Sequence, residues 1–370
     1  MAFYLHHYFD PDFSHQNLAP LSMSDGDVCN RYLGYVQNVV AGQVLAELID
    51  LSQTTDCPDY DTRFVFPERV FPCGPNCAPH PTNPSRIIAT ANGYCFYNNG
   101  LITVKKLLNV RRDVDFHTGN ILFVGDIISH ATVRTGFTLQ GNKVLVKGTV
   151  EGATIKASSD IVCESGLKGA GSGLLESDGN IKLLFCENMR IRAKGNVEIE
   201  GSCLHSEIYV GGSLMVKERL QGGAVYANNI IYVKEQLGGG QNTITKLALG
   251  YDPYKFFTLQ DIEQEITKLY AKLELFERRV EKKPHLLESH DLPMRLLRRK
   301  LSIKRSERDK LLATLEMDER NASRCRIICP GKIKPGLEIS IAKAYNMYQD
   351  FYSGQEFVLD GYEIVRKAIK

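Results

Sequence analysis

The fold is encoded in a five-residue phrase, which stands in the stretch Gly195-Asn196-Val197-Glu198-Ile199 and returns as Gly212-Ser213-Leu214-Met215-Val216. In both copies a glycine and a small polar residue precede two apolar side chains that are separated by one residue. Looser copies extend the series, with starts 16 to 23 residues apart. The apolar pairs are Ile121/Phe123, Val144/Val146, Ile161/Cys163, Ile181/Leu183, Val197/Ile199, Leu214/Val216 and Ile231/Val233. Repetition on this scale is typical of stacked coils rather than of an ordinary closed core.

Two further apolar positions keep the same period. One lies six residues before the next pair, at Ile155, Leu175, Ile191, Ile208 and Val225. The other lies in the middle of some coils, at Ile128, Val150, Leu204 and Leu220. Three short strands per coil predict a triangular parallel β-solenoid, because alternate side chains of a strand point to opposite faces. Coils rise about 4.8 Å each, so seven coils would make a rod of roughly 34 Å. The uneven repeat spacing favours a class of β-solenoid whose coils vary in length over the hexapeptide helix, whose coils have 18 residues each. The spacing does not show whether the solenoid is right-handed or left-handed.

Composition narrows the class of protein. The 370 residues carry a net charge of +2, so the chain as a whole has no strong bias toward acidic or basic partners. The sequence contains no run of about 18 apolar residues and therefore predicts no membrane-spanning helix. Residues 1–10 lack the basic and apolar regions of a signal peptide. The ten cysteines are scattered, and we interpret them as reduced thiols of a cytoplasmic protein.

Residues 1–118 predict a small N-terminal β-domain. Several prolines between residues 67 and 84 exclude a long helix there. Residues 39–48 predict a strand, a turn and a strand, and residues 92–104 a partner hairpin. This pattern resembles half of a lipoyl- or biotinyl-type barrel sandwich, but no lysine stands at the turn where such carriers are modified. We therefore expect a structural domain rather than a carrier.

The solenoid is expected over residues 119–257, and residues 258–320 change to a helical pattern. Apolar residues then recur at alternating spacings of three and four, as in the a and d positions of a coiled coil. They are Leu259, Ile262, Ile266, Leu269, Leu273, Phe276 and Val280, then, after Pro284, Met294, Leu297, Leu301, Lys304, Arg308, Leu311 and Leu315. We expect an antiparallel coiled-coil hairpin about 35–40 Å long, with the stems of Lys304 and Arg308 along the partner helix. Residues 321–370 predict strands that return to cap the solenoid. The fold class is thus mainly β with an α hairpin.

Three sets of residues are candidate chemical sites. Cys57, Cys73, Cys77 and His80 are weak metal candidates, since zinc sites favour closely spaced cysteine pairs but a second tight pair is missing. We expect free thiols and no cofactor. Acid–base candidates are Asp113, Asp115 and His117 near the solenoid start, which we interpret as a polar capping rung. A second acid–base set comprises His205, Glu207, Arg190 and Arg192.

The helical region carries an excess of positive charge. From residue 278 to residue 310 there are 12 Lys or Arg against 5 Asp or Glu. Such a patch suits acidic protein, anionic lipid or nucleic acid. No aromatic residue is interleaved, which disfavours stacking on single-stranded nucleic acid. The candidate partner-binding residues are Arg295, Arg298, Arg299, Lys300, Lys304 and Arg305.

Four passages carry a family resemblance. They are Val40-Ala41-Gly42-Gln43-Val44-Leu45-Ala46, Asp113-Val114-Asp115-Phe116-His117-Thr118-Gly119-Asn120-Ile121, Val124-Gly125-Asp126-Ile127 and Ala248-Leu249-Gly250-Tyr251-Asp252-Pro253. In them the chain resembles the flagellar assembly protein A (FapA) family, long catalogued as a domain of unknown function. The resemblance implies a right-handed parallel β-helix with a small N-terminal β-domain and a coiled-coil hairpin. It also implies a cytoplasmic bacterial protein without known catalysis, linked in some members to flagellar assembly or polar placement. Residues 73–84 depart from the family pattern.

Three functions follow as hypotheses. The favoured one is a non-enzymatic scaffold or interaction protein, whose basic helical arm binds protein partners such as flagellar or cell-pole components, or a second copy of the chain. The first alternative is a carbohydrate-active or acyl-transfer β-helix enzyme. The second alternative is a protein that binds an anionic surface or nucleic acid through the tip of the hairpin.

Overall fold

The computed structural model describes residues 2–15, 18, 31–52, 60–240, 243–282, 287–314 and 322–369. Within them the chain is mainly β, with a parallel β-solenoid of about eight turns, two helices and a small N-terminal region of antiparallel sheet. The predicted fold class is therefore confirmed. Two compact units make up the chain, residues 1–190 and residues 191–370. Cys57, Pro284 and Leu315 lie outside the described residues.

The N-terminal region of the first unit contains two antiparallel sheets. Its strands are β1 (Phe3–His7), β2 (Asn38–Val39), β3 (Val44–Asp50), β4 (Val65–Phe66), β5 (Cys77–Pro79), β6 (Arg86–Ala89), β7 (Gly93–Asn98) and β8 (Leu101–Lys105), with a 3-10 turn at Thr62–Phe64. The larger sheet has the order β4-β1-β3-β6-β5 and the smaller β2-β7-β8. One core of buried apolar side chains, including Leu45, Ile87 and Val104, serves both. The strands β2 and β3 and the hairpin β7–β8 match the predicted elements, and Asn99 and Gly100 take the positive φ that a tight hairpin turn requires.

Parallel coils form the rest of the first unit. Their strands are β9 (Leu107–Val110), β10 (Ile121–Leu122), β11 (Asp126–Ser129), β12 (Thr138–Gly141), β13 (Val144–Val146), β14 (Val150–Glu151), β15 (Thr154–Ala157), β16 (Ile161–Lys168), β17 (Leu174–Ser177) and β18 (Ile181–Glu187). The parallel pairing begins at Leu107, which pairs with Asp126. The first coil thus starts before residue 119, where the sequence placed the solenoid.

Three columns of inward side chains run through these coils in register. The columns are Leu108–Ile127–Val144–Ile161–Ile181, Val114–Val133–Val150–Leu167–Cys186 and Ile121–Leu139–Ile155–Leu175. Every member is at most 3% exposed. Because each inward side chain packs on its equivalents in the adjacent coils, the columns form a continuous apolar core.

Part of the predicted register is wrong at the start of the solenoid. Ile121 pairs with Leu139 and not with Val144, whose partner in the preceding coil is Ile127. The phrase that contains Ile127 does not follow the apolar pattern of the repeat, because its second inward position is Ser129, whose hydroxyl donates to the carbonyl of Ala131 (3.3 Å). A serine can occupy a buried rung when its hydrogen bond is satisfied by the backbone.

The predicted middle column is also wrong at two positions. Ile128 is half-buried and lies between the inward residues of β11, while the middle column of that coil holds Val133. Leu204 is likewise half-buried, and its neighbour Cys203 is the buried member. Since side chains alternate along a strand, a shift of one residue moves a side chain to the opposite face.

The second unit repeats the same arrangement. After β19 (Arg190–Ala193), which contains the boundary between the units, its coil strands are β20 (Val197–Ile199), β21 (Cys203–Val210), β22 (Leu214–Val216), β23 (Arg219–Ala227), β24 (Ile230–Val233), β25 (Gln236–Leu237), β26 (Thr245–Leu249), β27 (Arg326–Ile333) and β28 (Leu337–Ile341). The columns are Val197–Leu214–Ile231–Ile327, Cys203–Leu220–Leu237–Ile333 and Ile208–Val225–Leu247–Ile339. The second apolar position of the repeat thus forms a column of its own.

Two helices are inserted within a coil of the second unit. Helix α1 (Pro253–Lys282) and helix α2 (Leu287–Ala313) lie between β26 and β27, yet Ile327 of β27 pairs with Ile231 as the next rung of its column. Helix α1 begins before residue 258 because Asp252 caps it, with its carboxylate accepting the N–H of Tyr254 (2.9 Å). Proline suits the first helical position, where no backbone donor is needed.

The two helices pack antiparallel on one another. Their shared core is formed by the predicted a and d residues, namely Ile262, Ile266, Leu273, Met294 and Leu301, with Leu269, Phe276, Val280, Leu297 and Leu311 partly buried against it. Glu277 pairs with Arg298 and Glu265 with Lys304. Lys255 donates to the carbonyl of Thr314. Residue numbers that rise on one helix and fall on the other establish the antiparallel direction.

Aromatic side chains attach helix α1 to the coils of the second unit. Tyr209 and Tyr226 lie on adjacent coils and stack with ring centroids 4.9 Å apart. Phe256 of α1 stacks on Tyr226 at 4.9 Å, and Phe257 meets Tyr209 edge to face at 5.1 Å. One turn later, the amide of Gln260 donates to both carboxylate oxygens of a coil residue, Glu207, at 3.0 Å. These contacts fix the first turns of α1 on the outer surface of β21 and β23.

The C-terminal strands provide the last coil and then cover it. β27 and β28 continue the parallel coils, whereas β29 (Ala344–Tyr348), β30 (Tyr352–Asp360) and β31 (Glu363–Ala368) run antiparallel. β30 pairs with β27 and β29 with β28, so Phe357 of β30 is fully buried. An uncovered last coil would expose both core and unpaired backbone, which this antiparallel layer prevents.

The aromatic contact of α1 can be tested by replacing Phe257 with alanine. Phe257 is 5% exposed, and truncating a buried phenylalanine costs about 3–5 kcal/mol. We expect Phe257→Ala to lower the temperature at which the helical circular dichroism signal is lost and to speed proteolysis within residues 253–313. Phe351→Ala is the matched control, because Phe351 is 74% exposed in the same unit. Equal behaviour of the two variants would contradict this attachment.

Candidate interaction surface on the helical pair

The six predicted basic residues of α2 do not form one patch. A helix turns by about 100° per residue, so neighbours in sequence face different directions. Arg298 and Arg305 line one groove between the helices, and Lys300 and Lys304 line a second groove. By their helical phase, Arg295 and Arg299 lie on the outer side of α2, away from Met294 and Leu301 in the core. The cluster is therefore divided over three faces.

The first groove is the larger, with a volume of about 780 Å³. Arg298 in this groove is paired with Glu277 at 3.0 Å. The guanidinium of Arg305 lies 5.0 Å from the centroid of the Tyr270 ring. Both cations of the predicted set are thus held by α1 in this groove, and Lys310 and Asp309 stand beside them. These residues are part of this first groove, groove one.

The second groove, groove two, has a volume of about 350 Å³ and is lined by Glu265, Lys268, Leu269, Lys300, Ile303 and Lys304. Lys304 bridges the helices, with its ammonium 2.9 Å from Glu265 and 3.0 Å from Glu307. The hydrogen bonds that the Lys304 ammonium donates to these two carboxylates raise its pKa. Lys304 is therefore held in place by α1 and by its own helix, in keeping with the stem position that was expected of it.

The outer face of α2 combines charge with exposed apolar side chains. Arg295 pairs with Asp291 one turn earlier, at 2.8 Å. Among the described residues, none forms an ion pair with Arg299. Leu292 is 66% exposed and Leu296 51% exposed on the same side. The sequence analysis missed these leucines because it followed only the a and d positions, and a search for a second apolar stripe would have found them.

Two residues of the second acid–base set, Glu207 on β21 and Arg192 on β19, have structural partners. Glu207 accepts both hydrogen bonds from Gln260, and the guanidinium of Arg192 lies 5.0 Å from the ring centroid of Phe257 and 5.2 Å from that of Tyr254. Their position beneath α1 leaves these two groups engaged in attaching the helix. The arrangement does not present them together to a substrate.

The acidic residues near the solenoid start also satisfy local structure. Asp113 accepts the backbone N–H of Thr132 (3.0 Å) and pairs with Arg134 of the next coil at 2.8 Å. Asp115 accepts the N–H of His117 (2.8 Å). Hydrogen bonds of this kind satisfy backbone and charge at a coil corner, in agreement with a polar rung.

The metal candidates of the N-terminal region are placed as follows. Nδ1 of His80 accepts the N–H groups of Thr82 and Asn83 (3.2 Å each) and so caps a turn. Cys77 begins β5, and burial raises the pKa of its thiol to about 11, with the nearby Cys73 adding to the effect. Cys57 lies outside the described residues. Within the described ranges, no group of three or more His, Cys, Asp or Glu is arranged to hold a metal ion.

The raised pKa of Cys77 predicts slow alkylation. At pH 8 roughly one molecule in a thousand would carry the thiolate, which is the reactive form. We expect the rate of iodoacetamide labelling at Cys77 to rise about tenfold per pH unit between pH 8 and pH 10. Peptide mass spectrometry measures this rate. Circular dichroism over the same range controls for unfolding. A rate that levels off near pH 9, as for free cysteine, would contradict the buried thiol.

Among the described residues, no helix has the length and hydropathy that spanning a bilayer requires.

Comparison with known proteins identifies the family. A family model for the Flagellar Assembly Protein A beta solenoid domain matches residues 106–364, a range that contains the coils and both helices. No curated protein and no solved structure matches the chain. Because the match covers more than half of the 370 residues, the chain belongs to the flagellar assembly protein A family.

Proposed function

We propose that this protein is a non-enzymatic scaffold whose helical pair binds a protein partner. The observation that carries the proposal is the attachment of α1 by Phe256, Phe257 and Gln260 to successive coils. A helix held in this way presents its distal turns in a defined orientation, which suits a recognition surface. In this proposal the solenoid supports the helical pair, and the basic helical pair binds the partner.

The charges of the helical pair support a partner with acidic groups. Lys300 lines groove two, whereas Arg299 and Lys310 lie within about 20° of each other by helical phase. No described residue forms an ion pair with any of the three. Unpaired cations at an interface rim attract acidic surfaces and speed encounter. The family's name points to partners in flagellar assembly, and we extend this to flagellar or cell-pole components in the cytoplasm.

An enzymatic role is less well supported by the coils. Acid–base catalysis needs groups that converge on a substrate, whereas Glu207 is hydrogen-bonded to Gln260 and Arg192 packs on Phe257. Asp113 is likewise paired with Arg134. The carbohydrate-active and acyl-transfer hypotheses therefore rank below the scaffold.

Charge reversal on the helical pair tests the proposal. The triple variant Arg299→Glu, Lys300→Glu and Lys310→Glu changes three cations of α2 that have no ion-pair partner among the described residues, and it leaves the pairs of Arg298 and Lys304 in place. We expect affinity purification of the full chain from native cells to recover at least tenfold less of a specific partner, because acidic groups would now meet like charge.

The control is a triple variant elsewhere, Lys147→Glu, Lys343→Glu and Lys367→Glu, which makes the same change in net charge. Circular dichroism of both triple variants checks the fold. Equal partner recovery by the two variants would place the interaction away from the helical pair and contradict the proposal.

A further inference from the structure

Groove two is lined by apolar side chains and by lysines of both helices. Leu269 of α1 and Ile303 of α2 belong to the lining, and Ile303 is 50% exposed. Lys268 of α1 and Lys300 of α2 line the same groove. Among the described residues, neither lysine has an ion-pair partner.

Positive charge continues along α1, where the exposed Lys272 lies one turn beyond Lys268. Glu265, the one acidic residue of the lining, is already paired with Lys304. Groove two therefore combines apolar side chains with lysines of both helices that no carboxylate of the lining compensates.

We infer that groove two binds an amphipathic helix with acidic flanks, supplied by the protein partner. An entering helix would place apolar side chains at spacings of three and four against Leu269 and Ile303, as the third helix of a bundle. Its glutamates or aspartates on either side would meet Lys268 and Lys300. This inference rests on the proposed function, which requires a protein partner but does not specify its chemistry.

Charge and shape favour this occupant over two others. A second copy of the chain would bring another set of uncompensated lysines, and its own α1 and α2 already direct their apolar faces toward each other. Like charges across an interface are unfavourable. A lipid bilayer presents a broad surface, whereas groove two is a recess of about 350 Å³ between two helices. One helix face fits such a recess.

The test places a photo-crosslinking amino acid at position 303 of the full chain in native cells, and at position 306 in groove one as a comparison. We expect position 303 to crosslink a peptide whose sequence has apolar residues at helical spacing and acidic residues beside them. A crosslink from position 303 to phospholipid, to this chain itself or to a segment without acidic residues would overturn the inference.

Matched charge variants complete the test. Lys268→Glu with Lys300→Glu should lower the affinity for the crosslinked peptide, made synthetically and labelled with a fluorophore, at least tenfold. Arg299→Glu with Lys310→Glu changes the net charge equally on other faces and should change it less than threefold. Ile303→Asp should also abolish binding, because a carboxylate would replace an apolar contact of the groove. The helical core should stay intact, because the Ile303 side chain is half exposed. Comparable loss in both double variants would contradict binding in groove two.

These outcomes separate the inference from the proposed function. If a partner is recovered by the unaltered chain and is lost only on Arg299→Glu with Lys310→Glu, the helical pair still binds a partner and the assignment to groove two fails. If reversal on every face of α2 leaves recovery unchanged, the proposed function fails as well.

Discussion

The in-register stacking of parallel coils constrains the solenoid core, the inserted helices and the C-terminal strands of this molecule. Backbone hydrogen bonds join each strand to its equivalents in the neighbouring coils, so an inward side chain must pack on an equivalent inward side chain. The rule restricts the columns but not the corners between strands. A corner can therefore lengthen freely, provided that the chain returns to the same column. The insertion of both helices between Leu249 and Arg326 follows from this freedom, since Ile327 still continues the column of Ile231.

The insertion gains its orientation from the coils on which it stands. Tyr209 and Tyr226 occupy equivalent outward positions on adjacent coils, and the parallel register stacks their rings. That stack offers a flat aromatic surface for Phe256 and Phe257. Polar groups that could be mistaken for catalytic residues, such as Glu207, complete the same attachment. The outward side chains of the coils thus determine where the helices attach, just as the inward side chains determine the core.

Helical phase decides what the positive charge of α2 can do. Residues 295–305 are crowded with cations in sequence, yet they diverge onto two grooves and an outer face. Some are held by carboxylates of the helical pair, as Arg298 is by Glu277. The lysines that line groove two include Lys268 on the other helix, which was not part of the sequence-based cluster. They come together only because α1 and α2 run antiparallel.

Local sequence patterns predict the repeat, the change to a helical pattern, the a and d core of the helices and the family. The first three depend on local periodicity, which backbone geometry translates directly into inward and outward positions, and the family depends on four short motifs. The coil that begins at Ile127 is not visible as a repeat, because Ser129 breaks its apolar pattern. The stacking of Ile121 on Leu139, the coil that the C-terminal strands form before they cover it, and the lysines of two helices along one groove are seen only in the folded chain. These features join residues far apart in the chain, and no local pattern records which distant residue will be a neighbour.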